Sequence, residues 1–343
     1  MTRVAINGLG RIGRATLKVI MENPELQLVA VNDIIPIENA EYLLKYDSVY
    51  GKYEKEVSLK MNKEAEGDHN KLVIDGEEII YLSEKDPSSL PWRTLDIDLV
   101  FESTGLFTKI DDLKQHIQAG CKKVILSAPA KSDGIPTVVH GVNQAGADEN
   151  IISTASCTTN CISPVVEILQ RRVGIKKAMM TTIHAYTSTQ GTVDSPSKKI
   201  RRGRAAAINL VPTSTGAAKA TTKAIPEMEN KFDGMAIRGP VPVGSISDIT
   251  FITERPVEAK EINEILKEEA GSARYEGIMG VTDDELVSSD IIKDTRASII
   301  DGTSTQVVDG DMLKVMAWYD NEWGYANQMV KEAQRITEME AVA

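Results

Sequence analysis

The sequence predicts a two-domain α/β protein. A doubly wound, mainly parallel sheet comes first, and an α+β half built on an antiparallel sheet follows. Three observations carry this. The chain has 343 residues, more than one typical core accommodates. Its N-terminus reads strand, glycine turn, helix, strand, acid. After Cys157 the pattern changes from short alternating strands and helices to longer β-rich runs.

Arg3 to Asn7 reads as a short buried strand, followed at once by Gly8-Leu9-Gly10-Arg11-Ile12-Gly13 and a helical pattern through Ala15, Leu17, Val19 and Ile20. Pro24 helps to end that helix, Leu28 to Val31 is the second strand, and Asn32-Asp33 closes it. Glycines here permit a tight turn and close approach of backbone to a pyrophosphate, which the helix N-terminus then faces. Asp33 lies 20 residues beyond Gly13, where a carboxylate accepts hydrogen bonds from a ribose diol. The glycine motif alone is weak; with strand, helix and acid in place it predicts a Rossmann dinucleotide site. Asp47 to Ser83 reads as hairpins turning at Tyr50-Gly51 and Asp75-Gly76, with a polar surface loop at 64–70. Leu99 to Glu102 and Lys123 to Leu126 read as further parallel strands with the helix Ile110 to Ala119 between them. Ligands gather at the carboxyl ends of such strands, which makes Thr104, Gly105 and Ser127 cleft candidates.

Ser156-Cys157-Thr158-Thr159-Asn160-Cys161 lies near the midpoint, between Ile151-Ile152 and the apolar-periodic run Ile162 to Leu169. That pattern delivers Cys157 to the start of a helix, whose partial positive charge favours a thiolate. A lone cysteine is more often a small buried hydrophobe. Here the hydroxyl-rich neighbourhood argues for a reactive thiol. Lys177 to Thr182 reads as a strand ending at His184, the best base candidate among four histidines. A polar loop, Thr187 to Gly191, precedes the basic cluster Lys198 to Arg204. Aromatic residues for base stacking are missing from that cluster, so a solvated or subunit-contacting loop is the simpler reading. Thr215-Gly216 opens the helix Ala217 to Ala224. Met235 to Arg238, Asp248 to Thr253, Arg296 to Asp301 and Met312 to Tyr319 read as antiparallel strands, with helices near Glu258 to Ala270 and Asn327 to Thr337.

The bulk properties narrow the function. A net charge of -11 argues against nucleic acid as the main ligand and requires any anion site to be local. Three cysteines suit a reducing cytoplasm, and Cys157 and Cys161 are too close along a helix for an unstrained bridge. Met1-Thr2-Arg3 runs directly into a strand pattern, so no signal peptide is expected; neither is a membrane span or a metal site. A nicotinamide cofactor accepts hydride but cannot hold an aldehyde. A thiolate can, passing through a tetrahedral adduct to a thioester. Cysteine, histidine and a dinucleotide site therefore form a coherent aldehyde-oxidising set.

Over nearly its whole length the sequence resembles the phosphorylating glyceraldehyde-3-phosphate dehydrogenases. The resemblance rests on Asn7 to Arg14, Val31 to Asp33, Ser103 to Gly105, Ser127 to Pro129, Ala155 to Cys161, Thr182 to Ala185, Pro212 to Lys219 and Trp318 to Glu322. It implies Cys157 as nucleophile and His184 as the group that raises its thiolate fraction and moves protons. It implies Thr187, Thr189 and Arg238 for the substrate's phosphate, and Ser156, Thr158, Thr215 and Gly216 for attacking inorganic phosphate. NAD would be held by Gly10, Arg11, Ile12, Asp33, Thr104, Ser127 and Asn321. It further implies an NAD-binding domain over 1–156 joined by the C-terminal helix 322–343, a catalytic domain over 157–321, and a cytoplasmic homotetramer with Lys198 to Arg204 in an S-shaped loop near its centre. The substrates would be D-glyceraldehyde 3-phosphate and inorganic phosphate.

Two departures stand out. Gly239-Pro240-Val241-Pro242-Val243-Gly244-Ser245 replaces the family's usual Val-Pro-Thr after the arginine, and Ser195-Pro196 stands where a bulkier residue often precedes the proline. Asp33 and Pro196 still favour NAD, because a carboxylate repels a 2′-phosphate. Erythrose-4-phosphate dehydrogenase is the nearest alternative enzyme, although Thr213 to Lys219 matches the phosphate-using enzyme. A non-catalytic nucleic-acid or protein-binding role through 198–204 is the alternative from another class.

Overall fold

The computed structural model describes residues 1–62, 69–146 and 148–342. It divides into two compact units, one comprising Met1–Thr137, Ala145–Thr154 and Met329–Ala343, the other Val138–Gln144 and Ala155–Gln328. Most of the polar stretch expected as a loop at 64–70 lies outside the described residues. No helix among the described residues is long and apolar enough to cross a membrane.

In the first unit the chain runs β1 (Thr2–Asn7), α1 (Arg11–Ile20), β2 (Leu26–Asn32), α2 (Ile37–Lys45), β3 (Tyr46–Asp47), β4 (Gly51–Lys52), β5 (Val57–Lys60), β6 (Lys71–Ile74), β7 (Glu77–Leu82), β8 (Leu99–Glu102), α3 (Ile110–Ala119), β9 (Lys123–Leu126) and β10 (Ile151–Ser153). The sheet order is β10-β9-β8-β1-β2-β7-β6-β5. From β10 to β7 the strands are parallel, and β6 and β5 are added as antiparallel hairpins. Strand β1, central and flanked on both edges, is buried from Val4 to Asn7, which is why its apolar run is continuous rather than alternating. Asp75 and Gly76 both take positive φ, 46° and 86°, as a two-residue type I′ hairpin requires. Helix α2 was not expected. Its buried residues Ile37, Ala40 and Leu44 carry the helical period, but over only nine residues.

The second unit runs α4 (Cys157–Arg172), β11 (Ile175–Ala185), β12 (Val211–Ser214), α5 (Ala217–Ala224), β13 (Phe232–Gly239), β14 (Ser245–Thr253), α6 (Ala259–Ala270), β15 (Met279–Thr282), β16 (Ser298–Val308) and β17 (Met312–Tyr319); α7 (Trp323–Val342) ends the chain. Its sheet order is β12-β13-β11-β14-β17-β16-β15. The sheet is antiparallel-rich but not purely antiparallel: β11 pairs parallel with β13, and β15 with β16. Parallel neighbours need a crossover, and the long segment carrying α5 supplies it between β11 and β13. The buried face of α4, including Ile162, Val165, Val166 and Leu169, packs in one core with Ile249, Phe251, Leu313 and Val315.

Candidate active site

The first unit builds a cradle at the carboxyl end of its sheet. Gly8 has φ of 97°, and a Cβ there would lie 2.7 Å from the Thr104 nitrogen. A Cβ on Gly13 would lie 1.8 Å from the Gly8 carbonyl oxygen, so only glycine lets α1 pack this close to the turn. Gly10 caps α1 with no side-chain bond and no acid in the first turn, and nothing lies within 4 Å of where its Cβ would be. An uncapped helix start beside open space suits a pyrophosphate. Asp33 accepts the Leu9 N–H at 2.6 Å and the Ile35 N–H at 3.1 Å, one on each oxygen. Each oxygen keeps a lone pair for a ribose hydroxyl. Arg11 pairs with Asp47 at 2.5 Å and lies over the Tyr50 ring. Ile12 follows it in the first turn of α1. Ser127 Oγ is bonded to the Glu102 carbonyl at 2.9 Å, and the Thr104 hydroxyl to the Glu102 carboxylate.

The second unit holds the thiol. Ala155 takes a positive φ of 56°, rare for a residue with a Cβ, and turns the chain into α4. Ser156 caps the helix by accepting the Thr159 N–H at 3.1 Å, which leaves Cys157 in the first turn. Cys157 Sγ lies 3.4 Å from His184 Nε2. His184 Nδ1 donates to the Ala185 carbonyl at 2.6 Å, so Nε2 carries the lone pair that faces the thiol. Arg238 is the register partner of His184 across β11 and β13. Its Nη1 donates to the same carbonyl at 2.9 Å and lies 3.2 Å from Nδ1.

The first unit thus carries a Rossmann cradle, and the second a cysteine, a histidine and an arginine in mutual contact. The model described as "Glyceraldehyde 3-phosphate dehydrogenase, NAD binding domain" matches residues 2–110, and that described as "Glyceraldehyde 3-phosphate dehydrogenase, C-terminal domain" matches 156–321. The chain belongs to the glyceraldehyde-3-phosphate dehydrogenase family. Glyceraldehyde-3-phosphate dehydrogenase of Zymomonas mobilis is 44% identical over 338 residues, covering 97% of this chain and 98% of that one. The Geobacillus stearothermophilus enzyme of the same name is 45% identical over 337 residues, 97% and 98% of the two chains. That of Streptomyces coelicolor is 45% identical over 332 residues, 96% of each. As a member of the family the chain is an NAD-dependent oxidoreductase.

Several hydroxyls near the site already have partners. Thr158 Oγ1 is bonded to the buried Tyr319 hydroxyl at 2.8 Å, and Thr182 Oγ1 to the same hydroxyl at 2.8 Å. Ser156 Oγ is shared with Thr159 Oγ1, and Thr187 Oγ1 lies 2.9 Å from Thr189 Oγ1. Thr215 Oγ1 accepts the Ala217 N–H at 3.2 Å at the start of α5, beside exposed Gly216. Tyr319, edge-on to His184 at 6.0 Å between ring centres, had no signal in the sequence beyond the motif Trp318 to Glu322. Arg202, in the segment read as a solvated or subunit-contacting loop, is half-buried, donates to Thr213 Oγ1 at 2.9 Å and contributes to the field at His184 and Arg238. The departure after Arg238 is stitched in: the Tyr186 N–H donates to the Val241 carbonyl at 3.1 Å, and Asn321 Oδ1 accepts from Ser245 Oγ at 2.9 Å and the Gly244 N–H at 3.2 Å. Cys161 is fully buried, as packing predicts. A groove of about 720 Å³ at the other end of β11, lined by Lys177, Met179, Lys219 and Lys231 among others, contains none of the expected site residues.

Burial pushes the Cys157 thiol up to about 11, with Arg238 and the Thr158 N–H pulling the other way. Burial, and then Arg238, hold His184 down to about 3, against the Ala185 carbonyl. Burial opposes the pull of the helix start toward a thiolate, because desolvation disfavours the charged form. Cys157 Sγ and His184 Nε2, 3.4 Å apart, are within reach of a proton transfer between them.

Proposed function

We propose that this chain oxidises D-glyceraldehyde 3-phosphate to 1,3-bisphosphoglycerate with NAD and inorganic phosphate. The observation that carries the reading is the Cys157–His184 contact at 3.4 Å with Arg238 beside it. Cys157 sulfur adds to the aldehyde carbon, and its proton passes through His184 Nε2 to the former carbonyl oxygen, giving a thiohemiacetal. When bound, NAD supplies a hydride acceptor. His184 takes back the hydroxyl proton as the carbon is oxidised, which leaves a thioester on Cys157. A phosphate oxygen then attacks the thioester carbon, the C–S bond breaks, and the acyl phosphate leaves with the thiolate restored. His184 also stabilises negative charge developing on the substrate oxygen.

Arg238, Thr187 and Thr189 hold the substrate's phosphate. Thr215 and Gly216, with the N–H groups around Ser156 and Thr158, receive the attacking phosphate. Gly10, Arg11, Ile12, Asp33, Thr104, Ser127 and Asn321 hold NAD. The cofactor-binding part comprises 1–156 with 322–343, and the catalytic part 157–321. Assembly is a cytoplasmic homotetramer; exposed Ile200, Ile208 and Leu210 around the basic loop support a subunit contact there. The test is NADH formation from this aldehyde with and without inorganic phosphate. Sustained turnover should require phosphate. Faster turnover of erythrose 4-phosphate, or turnover indifferent to phosphate, would refute the reading.

A further inference from the structure

Beneath the cofactor cradle lies a buried polar chain that none of the chemistry above uses. Trp92, Glu102 and His116 are fully enclosed within the first unit, and Asn7 is 1% exposed. An indole N–H can only donate. Trp92 Nε1 lies 3.0 Å from His116 Nδ1, so that nitrogen accepts. The imidazole proton therefore sits on Nε2, which donates to Glu102 Oε2 at 3.0 Å. Asn7 Nδ2 donates to the same oxygen at 2.6 Å. Glu102 Oε1 accepts the Thr104 N–H at 2.9 Å and the Thr104 hydroxyl. Together these four donors fill the acceptor sites of one carboxylate.

The place of this carboxylate matters. Glu102 and Asn7 are register partners at the carboxyl ends of β8 and β1. The sheet continues from β1 to β2 on one side and has β8 on the other, which makes this the switch-point crevice where ligands bind. The Ser103 N–H donates to the Asn7 carbonyl at 2.7 Å, and a Cβ on Gly8 would lie 2.7 Å from the Thr104 nitrogen, so the glycine turn and the 103–105 turn pack together directly above Glu102. Asn7 Oδ1 in turn accepts from Asn32 Nδ2 at 2.7 Å, one residue before Asp33. A single buried carboxylate thus ties together the three strand ends that form the cradle.

We infer that Glu102 is a positioning residue for NAD, oriented by His116 and Trp92, so that a donor lost on α3 is felt as weaker cofactor binding and not as slower chemistry. The inference rests on the cleft assigned above. Glu102 is fully enclosed, so it acts through its bonds to Asn7 and Thr104 beside the glycine turn. A change at His116 reaches NAD only by that route.

Two variants and one measurement on the unaltered protein test it. His116→Gln keeps an amide N–H for Glu102, whereas His116→Leu cannot donate. Calorimetric titration with NAD should give a Kd about tenfold higher for His116→Leu, with kcat at saturating NAD within about twofold of wild type. His116→Gln should recover most of that affinity. In the wild type, [15N]histidine labelling of the four histidines reads the His116 tautomer, and its Nε2–H resonance should move when NAD is added. Unchanged NAD affinity in His116→Leu, equal losses in both variants, or an Nε2–H resonance unmoved at saturating NAD would each overturn the inference. The spectroscopic arm needs no variant, so a misfolded His116→Leu still leaves a decisive result. Wild-type protein that fails to bind NAD at all is a separate outcome, and it refutes the cleft itself.

Discussion

The Leu9 N–H donates to Asp33 Oδ2 at 2.6 Å. The acid placed to meet the adenosine ribose is therefore also a strut of the glycine turn, and cofactor choice and turn geometry are coupled through one side chain. Asp33→Gly should weaken NAD, admit NADP and lower Tm together, since both N–H bonds are lost. Asp33→Asn keeps an acceptor for Leu9 and should admit NADP with less loss of stability. Losing a charge-assisted ribose contact costs roughly tenfold or more in kcat/KM for NAD. Steady-state assays with both cofactors, alongside thermal melts, check this. Equal wild-type kcat/KM for NAD and NADP would sink it.

At the thiol, burial raises Cys157, and His184 is the acceptor 3.4 Å away. His184→Asn should therefore move the pH profile of iodoacetamide alkylation to higher pH and slow turnover. Arg238→Ala should shift the profile in the same direction, because Arg238 favours the thiolate. Alkylation of Cys121 or Cys161 ahead of Cys157, with activity surviving, would show that the nucleophile is misassigned.

The two anion sites should separate kinetically. Charge-assisted hydrogen bonds contribute about 1.5–3 kcal/mol each, so losing one costs roughly 10- to 150-fold. Thr215→Ala should raise the requirement for inorganic phosphate while sparing acylation of Cys157. Arg238→Ala should slow acylation by the phosphorylated aldehyde, and much less that by unphosphorylated glyceraldehyde. The measurement is a pre-steady-state burst of NADH without phosphate. A burst abolished by Thr215→Ala and intact in Arg238→Ala would mean the sites are exchanged.

An acid-labile clamp closes α4 on α6. Glu269, 7% exposed, bonds Arg171 at 2.8 Å and Arg172 at 2.6 Å, and these partners hold its carboxyl below the ordinary 4.5. A depressed folded-state value stabilises fully above the unfolded one and is lost as pH falls through the folded one. Glu269→Gln should lower Tm at pH 7 by no more than about 2–4 °C, since the arginines are partly exposed. The difference from wild type should shrink by pH 3. A gap that stays constant with pH would rule out the ionic contribution.

Much of the site was legible because local chemistry writes itself into the chain. The glycine turn needs Gly8 and Gly13 for steric reasons that hold in any such fold, and Asp33 follows at the distance a βαβ unit dictates. Cys157 was readable from the hydroxyl residues at a helix start, and the bounds of α3, α5 and β17 follow from clear apolar periods. Other features depended on what the sheet brings together across long stretches of sequence. Arg238 meets His184 only through the register of two parallel strands, and that pairing was invisible while the sheet was read as purely antiparallel. Tyr319 joins Thr158 and Thr182 across 161 and 137 residues, and Trp92, Glu102 and His116 meet inside a core. The thiol's surroundings were the furthest from reach: sequence shows the helix start, whose charge favours a thiolate, but the burial that opposes it and Arg238 that supports it come from the tertiary structure, because desolvation depends on what packs around the charge.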